Sequence, residues 1–151
     1  MEQHSKSLQI KILDGWVHTG DMGYIDDKLE IHIVGQRSFV IKNFYNEIYP
    51  NEIEDLIQNI NGVRYSCVVG IPDPIEIEIP AVFVVKSESE NLTEADIKAA
   101  TNQLPAFKRI REVFFVESLP MTPSGKVQRR MVKDMTDEMK ILVMSKRIKT
   151  E

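Results

Sequence analysis

Two short apolar runs, Cys67-Val68-Val69 and Ala81-Val82-Phe83-Val84-Val85, constrain this chain more than anything else in it. Both are rich in β-branched residues and both are bounded by turn formers, so they read as core strands. Gly70-Ile71-Pro72-Asp73-Pro74 between them reads as a loop. The segments on either side carry helical spacing instead. In Pro50 to Ile60, the residues Ile53, Leu56, Ile57 and Ile60 fall on one stripe, with Pro50 suited to the first turn and Asn61-Gly62 supplying the stop. Thr93 is placed to cap a second helix running to about Leu104, with Ile97, Ala100 and Leu104 inward, and Pro105 ends it. Val113 to Val116 reads as a further strand and Phe39-Val40-Ile41 as a short buried one. A last helix is expected from Val127 onward, with Met131, Met135 and Met139 at four-residue spacing, before a solvated tail from Ser145. Nearer the start, Leu29, Ile31 and Ile33 alternate with Glu30 and His32, which predicts a hairpin with one apolar face. Alternating strands and helices give α/β or α+β, and the expected class is α+β: a small β-hairpin lobe, then a mixed sheet of about three strands flanked by helices.

Composition narrows the function classes. A chain of 151 residues with 42% apolar and 28% charged residues supplies one ordinary globular core. A net charge of −4 and the lack of a basic run argue against a nucleic-acid partner. The polar start, Met1 to Lys6, has no signal-peptide core, and no stretch is long enough for a membrane span. The single cysteine, Cys67, excludes an internal disulfide, and His4, His18 and His32 are not ligand-spaced, so no metal site is expected. A cytoplasmic setting follows as the expectation.

Chemistry is concentrated in a few short motifs. Thr122-Pro123-Ser124-Gly125-Lys126 holds a lysine out on a loop, where it can reach another domain. Read alone, the same five residues favour a helix-start turn with a solvent lysine. Asp21 follows Gly20 on a turn, where a carboxylate can accept two hydrogen bonds from a sugar diol, or simply cap the turn.

Order and spacing add to this. Trp16 to Asp21 resembles the Gly-Trp-x-x-Thr-Gly-Asp motif of the adenylate-forming enzymes, the superfamily of acyl-CoA synthetases, peptide-synthetase adenylation domains and luciferases. Gly35 to Lys42, leading to Ile48-Tyr49-Pro50-Asn51-Glu52-Ile53-Glu54, resembles their hinge and the helix after it. Val68 to Asp73 and Pro80 to Val84 resemble the next two strands. Leu104 to Arg109, then Leu119-Pro120-x-Thr-Pro-Ser-Gly-Lys-Val-Gln-Arg-Arg, resembles the closing motif. The match covers about Gly15 to Met135, the C-terminal domain of such an enzyme.

The resemblance implies an ATP-dependent ligase that joins a carboxylate to AMP and then passes the acyl group to the thiol of coenzyme A or of a carrier-protein phosphopantetheine. In it Lys126 matches the catalytic lysine, Asp21 the ribose contact, and Gln36 and Arg37 the neighbourhood of the nucleotide. Ser38 matches the hinge. Phe44, Tyr45 and Asn46 fall where the thiol arm passes, and Lys108, Arg109 and Arg111 are candidates for the phosphates of coenzyme A. The implied division is 1–37 for the end of the large domain and the hairpin, 38–135 for the lid, and 136–151 for a helical extension and tail. ATP and Mg2+ are expected to be bound mainly by a large N-terminal domain that carries the phosphate loop and the acyl pocket. No such segment lies in these residues, so this polypeptide alone is expected not to turn over ATP. Four departures stand out: Ser38 where Asp or Lys is usual, Gln36 where an Arg is usual, Tyr45 where Gly is usual, and Glu47 where a basic or amide residue is common. They support adenylation better than transfer to coenzyme A, and leave open a carrier-protein acceptor or a non-catalytic binding module that kept the fold.

Overall fold

The structure is a computed structural model, and it describes residues 12–88, 91–136 and 139. His4, most of the 136–151 extension and the charged tail lie outside the described residues. The chain opens with two hairpins. The first pairs β1 (Ile12–Leu13) with β2 (Trp16–Val17), the second β3 (Asp21–Ile25) with β4 (Ile31–Gln36). The turn of the second is built by Asp26, whose Oδ1 accepts from the backbone N–H groups of Lys28 and Glu30, each at 2.9 Å. Leu29 sits in that turn at φ +64° rather than in the strand. The expected apolar face exists, but Trp16, Ile25, Ile31 and Ile33 are all exposed.

A five-stranded mixed sheet follows, wider than the three strands expected. β5 (Ile41–Asn43) and β6 (Asn46–Ile48) form a tight hairpin, β7 (Val63–Asp73) pairs antiparallel with β8 (Ile77–Lys86), and β9 (Glu112–Phe115) runs parallel to β8. The order is β6-β5-β8-β7, with β9 on β8, so β7 is an edge strand. That explains one correction. Gly70 to Asp73 is strand, not loop, because a proline without an N–H is tolerated at a sheet edge and Pro72 costs no ladder bond there. Phe39 is a second correction: it closes a 3₁₀ turn (Arg37–Phe39), and of the expected Phe39–Ile41 strand only Ile41 is buried in β5. The turn is pinned where Arg37 donates its N–H to the Gly20 carbonyl at 2.8 Å.

The two apolar runs are buried on both faces, which is why they read as continuous rather than alternating. Val68, Val82 and Val84 face α1 (Pro50–Gln58) and α2 (Glu94–Ala100), packing with Ile53, Ile57 and Ile97. Cys67, Val69, Phe83 and Val85 face the other way, onto Leu119, Met121, Val127 and α3 (129–136). The period of two in β7 and β8 thus divides one sheet between two cores. α3 begins two residues later than expected and presents Val132, not Met131, to the core; Met131 is half exposed. α2 also ends early, at Ala100, where the buried Thr101 hydroxyl donates to the Lys98 carbonyl and accepts the Ile110 N–H.

α2 starts with a full capping box: Thr93 and Asp96 each accept from the other's backbone N–H. The Thr93 hydroxyl also holds the Asp96 carboxyl below the usual range. Thr93→Ala is expected to cost about 1 kcal/mol, lowering the melting temperature by a few degrees in a thermal denaturation followed by circular dichroism. Among the described residues no helix is long and apolar enough to cross a membrane.

Candidate active-site cleft

The loop that carries Lys126 is more ordered than its sequence suggests. Thr122 organises it: its N–H donates to the Lys126 carbonyl at 2.8 Å, its carbonyl accepts from Gly125, and its hydroxyl accepts from the Lys126 N–H at 3.1 Å and bonds Ser124 Oγ. Gly125 sits at φ +83°, a conformation that favours glycine, and this closes the loop. Met121 then bridges to Val127, and the Gln128 N–H reaches the Pro120 carbonyl. Pinned backbone on both sides leaves the Lys126 side chain exposed. Among the described residues no carboxylate lies within ion-pair distance of it.

Lys126 lines an open cleft of about 610 Å³. Asp21 and Gln36 enter it from the β3–β4 hairpin, Asn51 from the start of α1, and Gln128, Arg129 and Arg130 from the chain just past Lys126. Asp21 follows Gly20, at φ +82°, and its N–H donates to Thr19 Oγ1 at 3.2 Å, so the turn leaves its carboxylate outward. Arg37 does not line this cleft. It flanks Asp21 on a neighbouring one of about 510 Å³ with His18 and Thr19. The sequence-selected residues Asp21, Gln36 and Lys126 therefore share one cleft, Arg37 adjoins it through Asp21, and Ser38 lies exposed in the 3₁₀ turn between Gln36 and Phe39.

In the wall of the cleft is a partly buried ion pair that the sequence did not disclose. The Arg129 guanidinium meets both carboxylate oxygens of Glu54 on α1, the Nη2–Oε2 contact being 2.9 Å. Nη1 also donates to the Val68 carbonyl at 2.8 Å and Nη2 to Asn51 Oδ1 at 3.2 Å. Burial pulls the Arg129 pKa down and the Glu54 carboxylate outweighs it, so the net direction is up. Cys67 lies beside this pair, and burial pushes its thiol up to about 12, against the pull of Arg129. It is an inert core residue.

The other sequence-selected residues lie away from this cleft's lining. Phe44 and Tyr45 form the two-residue turn of β5–β6. Phe44 takes the positive φ, +51°, so Tyr45 needs no left-handed backbone, and its ring is fully exposed. Asn46 opens β6. The Phe44 N–H donates to the Glu76 carbonyl at 3.2 Å, and Glu76 also holds Asn43 at 2.8 Å and Arg111 at 2.9 Å. Lys108 is paired with Glu52 at 2.7 Å, and Arg109 donates to the Leu104 carbonyl. Arg109 and Arg111 share a shallow groove of about 390 Å³ with Lys98. Two of these three cations therefore have internal carboxylate partners.

Known proteins share this sequence pattern and fold. The sequence model of the AMP-binding enzyme C-terminal domain matches residues 52–126, ending on Lys126. 4-Coumarate–CoA ligase 3 of Arabidopsis thaliana is 40% identical over 121 residues, 80% of this chain and 22% of that protein. 4-Coumarate–CoA ligase of Vanilla planifolia is 42% identical, over 78% of this chain and 21% of its own length. The chain belongs to the AMP-binding enzyme C-terminal domain family. Among solved structures, ATP-bound MatB from Rhodopseudomonas palustris superposes with a TM-score of 0.75 at 32% identity, over 81% of this chain and 24% of that one. Amide bond synthetase McbA from Marinactinospora thermotolerans gives 0.75 at 28%, over 83% and 26%. The chain spans about a fifth of the length of the curated relatives it matches.

One further cluster lies on the β3–β4 hairpin, outside the matched residues 52–126. Asp26, Glu30 and His32 bring ligand-type atoms within 4.8 Å of one another. The hairpin turn accounts for them: Asp26 Oδ2 bonds His32 Nε2 at 2.8 Å, while Tyr24 stacks on the imidazole at 4.9 Å. The His32 contact is the main reason the Asp26 carboxyl lies below its ordinary range.

Proposed function

We propose that this chain is the lid of an AMP-forming acid–thiol ligase, with residues 38–135 swinging about Ser38 over a large N-terminal domain of the same polypeptide. The observation that carries this reading is the cleft that gathers Asp21, Gln36 and an exposed Lys126 that has no ion pair among the described residues. The first step sets a carboxylate against a triphosphate. A carboxylate oxygen attacks the α-phosphorus, the bond to pyrophosphate breaks, and negative charge grows on the oxygens between. An ammonium on a pinned loop offsets that charge without moving a proton, and lysine supplies it as a compact point charge on a flexible stem. Asp21 accepts from the ribose hydroxyls. In the second step a thiol takes the acyl group and AMP leaves. The names of the relatives favour coenzyme A as acceptor over a carrier-protein phosphopantetheine. Arg111 meets a phosphate only by exchanging its Glu76 partner, so its contribution there is small.

ATP fits the cleft on charge, since Lys126 and Arg130 provide cations and Asp21 a carboxylate. Mg2+ does not fit these residues alone: Asp21 is the one carboxylate among the described residues that line the cleft, too few for a hard cation's oxygen shell. The ion belongs with the N-terminal domain. The whole is read as a cytoplasmic enzyme.

The test is carboxylate-dependent exchange of labelled pyrophosphate into ATP. The isolated chain is expected to give none above background, and the same chain joined to its N-terminal domain to give robust exchange. Exchange by the isolated chain would overturn the reading. Ser38 and the projecting Tyr45 ring favour a second reading, a non-catalytic binding module, for which the joined protein would also be silent.

A further inference from the structure

Arg129 does more than fill a partly buried slot. Its guanidinium and the Glu54 carboxylate are each 18% exposed, and together they satisfy both outward backbone groups of Val68 on the edge strand β7. Glu54 accepts the Val68 N–H at 2.6 Å and Arg129 donates to its carbonyl. The same guanidinium lies 5.7 Å from the centre of the Phe39 ring, the residue after Ser38, and it holds Asn51 at the start of α1. It stands three residues beyond Lys126 and lines the same cleft. One side chain therefore ties together the segment next to Ser38, α1, the open edge of the sheet and the first turn of α3. Stability alone is a weak reason for this arrangement, because the pair is partly buried: exposed ion pairs contribute little, and buried ones are commonly no more stabilising than a well-packed apolar pair of similar volume. What an apolar pair cannot supply is a directional fork, five donors in fixed geometry, that sets the rotation of α3 and hence the direction in which the preceding Lys126 loop leaves it.

We infer that Arg129, held by Glu54, is a positioning residue that aims the Lys126 ammonium into the cleft and fixes it to the segment beside Ser38. This rests on the ligase reading above. The structural alternative is that the pair only seals the edge of β7.

The experiment uses the joined, full-length protein carrying Glu54→Leu and Arg129→Met together, with Arg129→Lys as a second variant that keeps the charge and loses the fork. Three quantities are read: melting temperature, kcat and KM for ATP in pyrophosphate exchange, and the rate of tryptic cleavage after Lys126 relative to other sites. The expected result for the double variant is a melting temperature within a few degrees of wild type, kcat down about tenfold, KM for ATP within about twofold, and relative cleavage after Lys126 up about tenfold. Arg129→Lys is expected to fall between the two. Should the double variant fail to fold, Arg129→Lys carries the same three readouts. Wild-type kcat and wild-type cleavage after Lys126 in a folded variant would overturn the inference and leave the pair as an edge seal. Lys126→Ala is run beside them. If it too keeps full exchange, the ligase reading has failed; if it loses exchange while the Arg129 variants do not, only this inference has.

Discussion

Lys126→Ala in the full-length protein is expected to lower carboxylate-dependent pyrophosphate exchange by about 100-fold or more, the scale of losing one preorganised charge-stabilising donor, with folding unchanged. The two halves of that result have separate causes. The Lys126 side chain is exposed and has no ion pair among the described residues, and the loop beneath it is held by Thr122, Gly125 and Pro120 through backbone groups that alanine keeps. Truncating it should therefore move stability by no more than about 0.5 kcal/mol. The catalytic half follows from where charge develops: the ammonium is useful only while a carboxylate and an α-phosphate are forced together, so its loss should fall on kcat rather than on KM for ATP. Lys126→Arg should recover little, because a planar fork cannot take the place of a compact point charge on this short loop. Thioester formation from a supplied acyl-adenylate should be spared, since the lysine has no charge to offset in that step. Wild-type exchange by the alanine variant would remove Lys126 from the mechanism.

How much of this was legible depended on whether the signal was local. Val68, Val69 and Ala81 to Val85 announced core strands because β-branched runs bounded by turns have few other uses. The helix from Pro50 was equally plain from Ile53 and Ile57. Pro72 misled, since only the sheet order tells that β7 has a free edge on which a proline can sit. The β5–β6 hairpin leaves no sequence signature, because its strands are three residues each and its turn, Phe44-Tyr45, contains none of the usual turn formers. Alternation in Leu29 to Ile33 gave the hairpin and its apolar face, but a period of two cannot say whether anything covers that face, and in this chain Ile31 and Ile33 remain exposed. For the cleft, the motifs supplied Asp21, Gln36 and Lys126 as separate points along the chain. That they converge follows from packing, as does the Arg129–Glu54 pair, whose partners are 75 residues apart and carry no mutual signature. Along the chain Glu54 is one acid among several in the Pro50 helix; its low exposure and its contacts, not its position, reveal the other role.

Phe83→Ala is expected to destabilise the domain by about 3–5 kcal/mol, the range for emptying a buried aromatic site. Phe83 is the largest fully buried side chain among the described residues, at 0% exposure, and it sits on β8, which pairs with β7, β5 and β9. Its neighbours come from separate elements: Cys67 across the antiparallel ladder, Phe114 beside it in the parallel one with ring centres 5.0 Å apart, and Leu119 and Val132 from the layer above. Because these neighbours are fixed by two ladders and a helix, the hole cannot close by a local shift, which puts the cost toward the upper end of the range. Urea denaturation should show the midpoint falling with the slope unchanged, since the surface exposed on unfolding is nearly the same. Phe83→Leu, which keeps most of the volume, should cost markedly less. The same side of the sheet carries Met121 and Val127, the two residues that bracket the Lys126 loop. A cavity at Phe83 therefore undercuts the platform on which that loop rests, and the alanine variant should lose pyrophosphate exchange even below its melting temperature. A loss of stability under about 1 kcal/mol would mean that the ring's neighbours can collapse onto the space, and that the two ladders do not hold this core rigid.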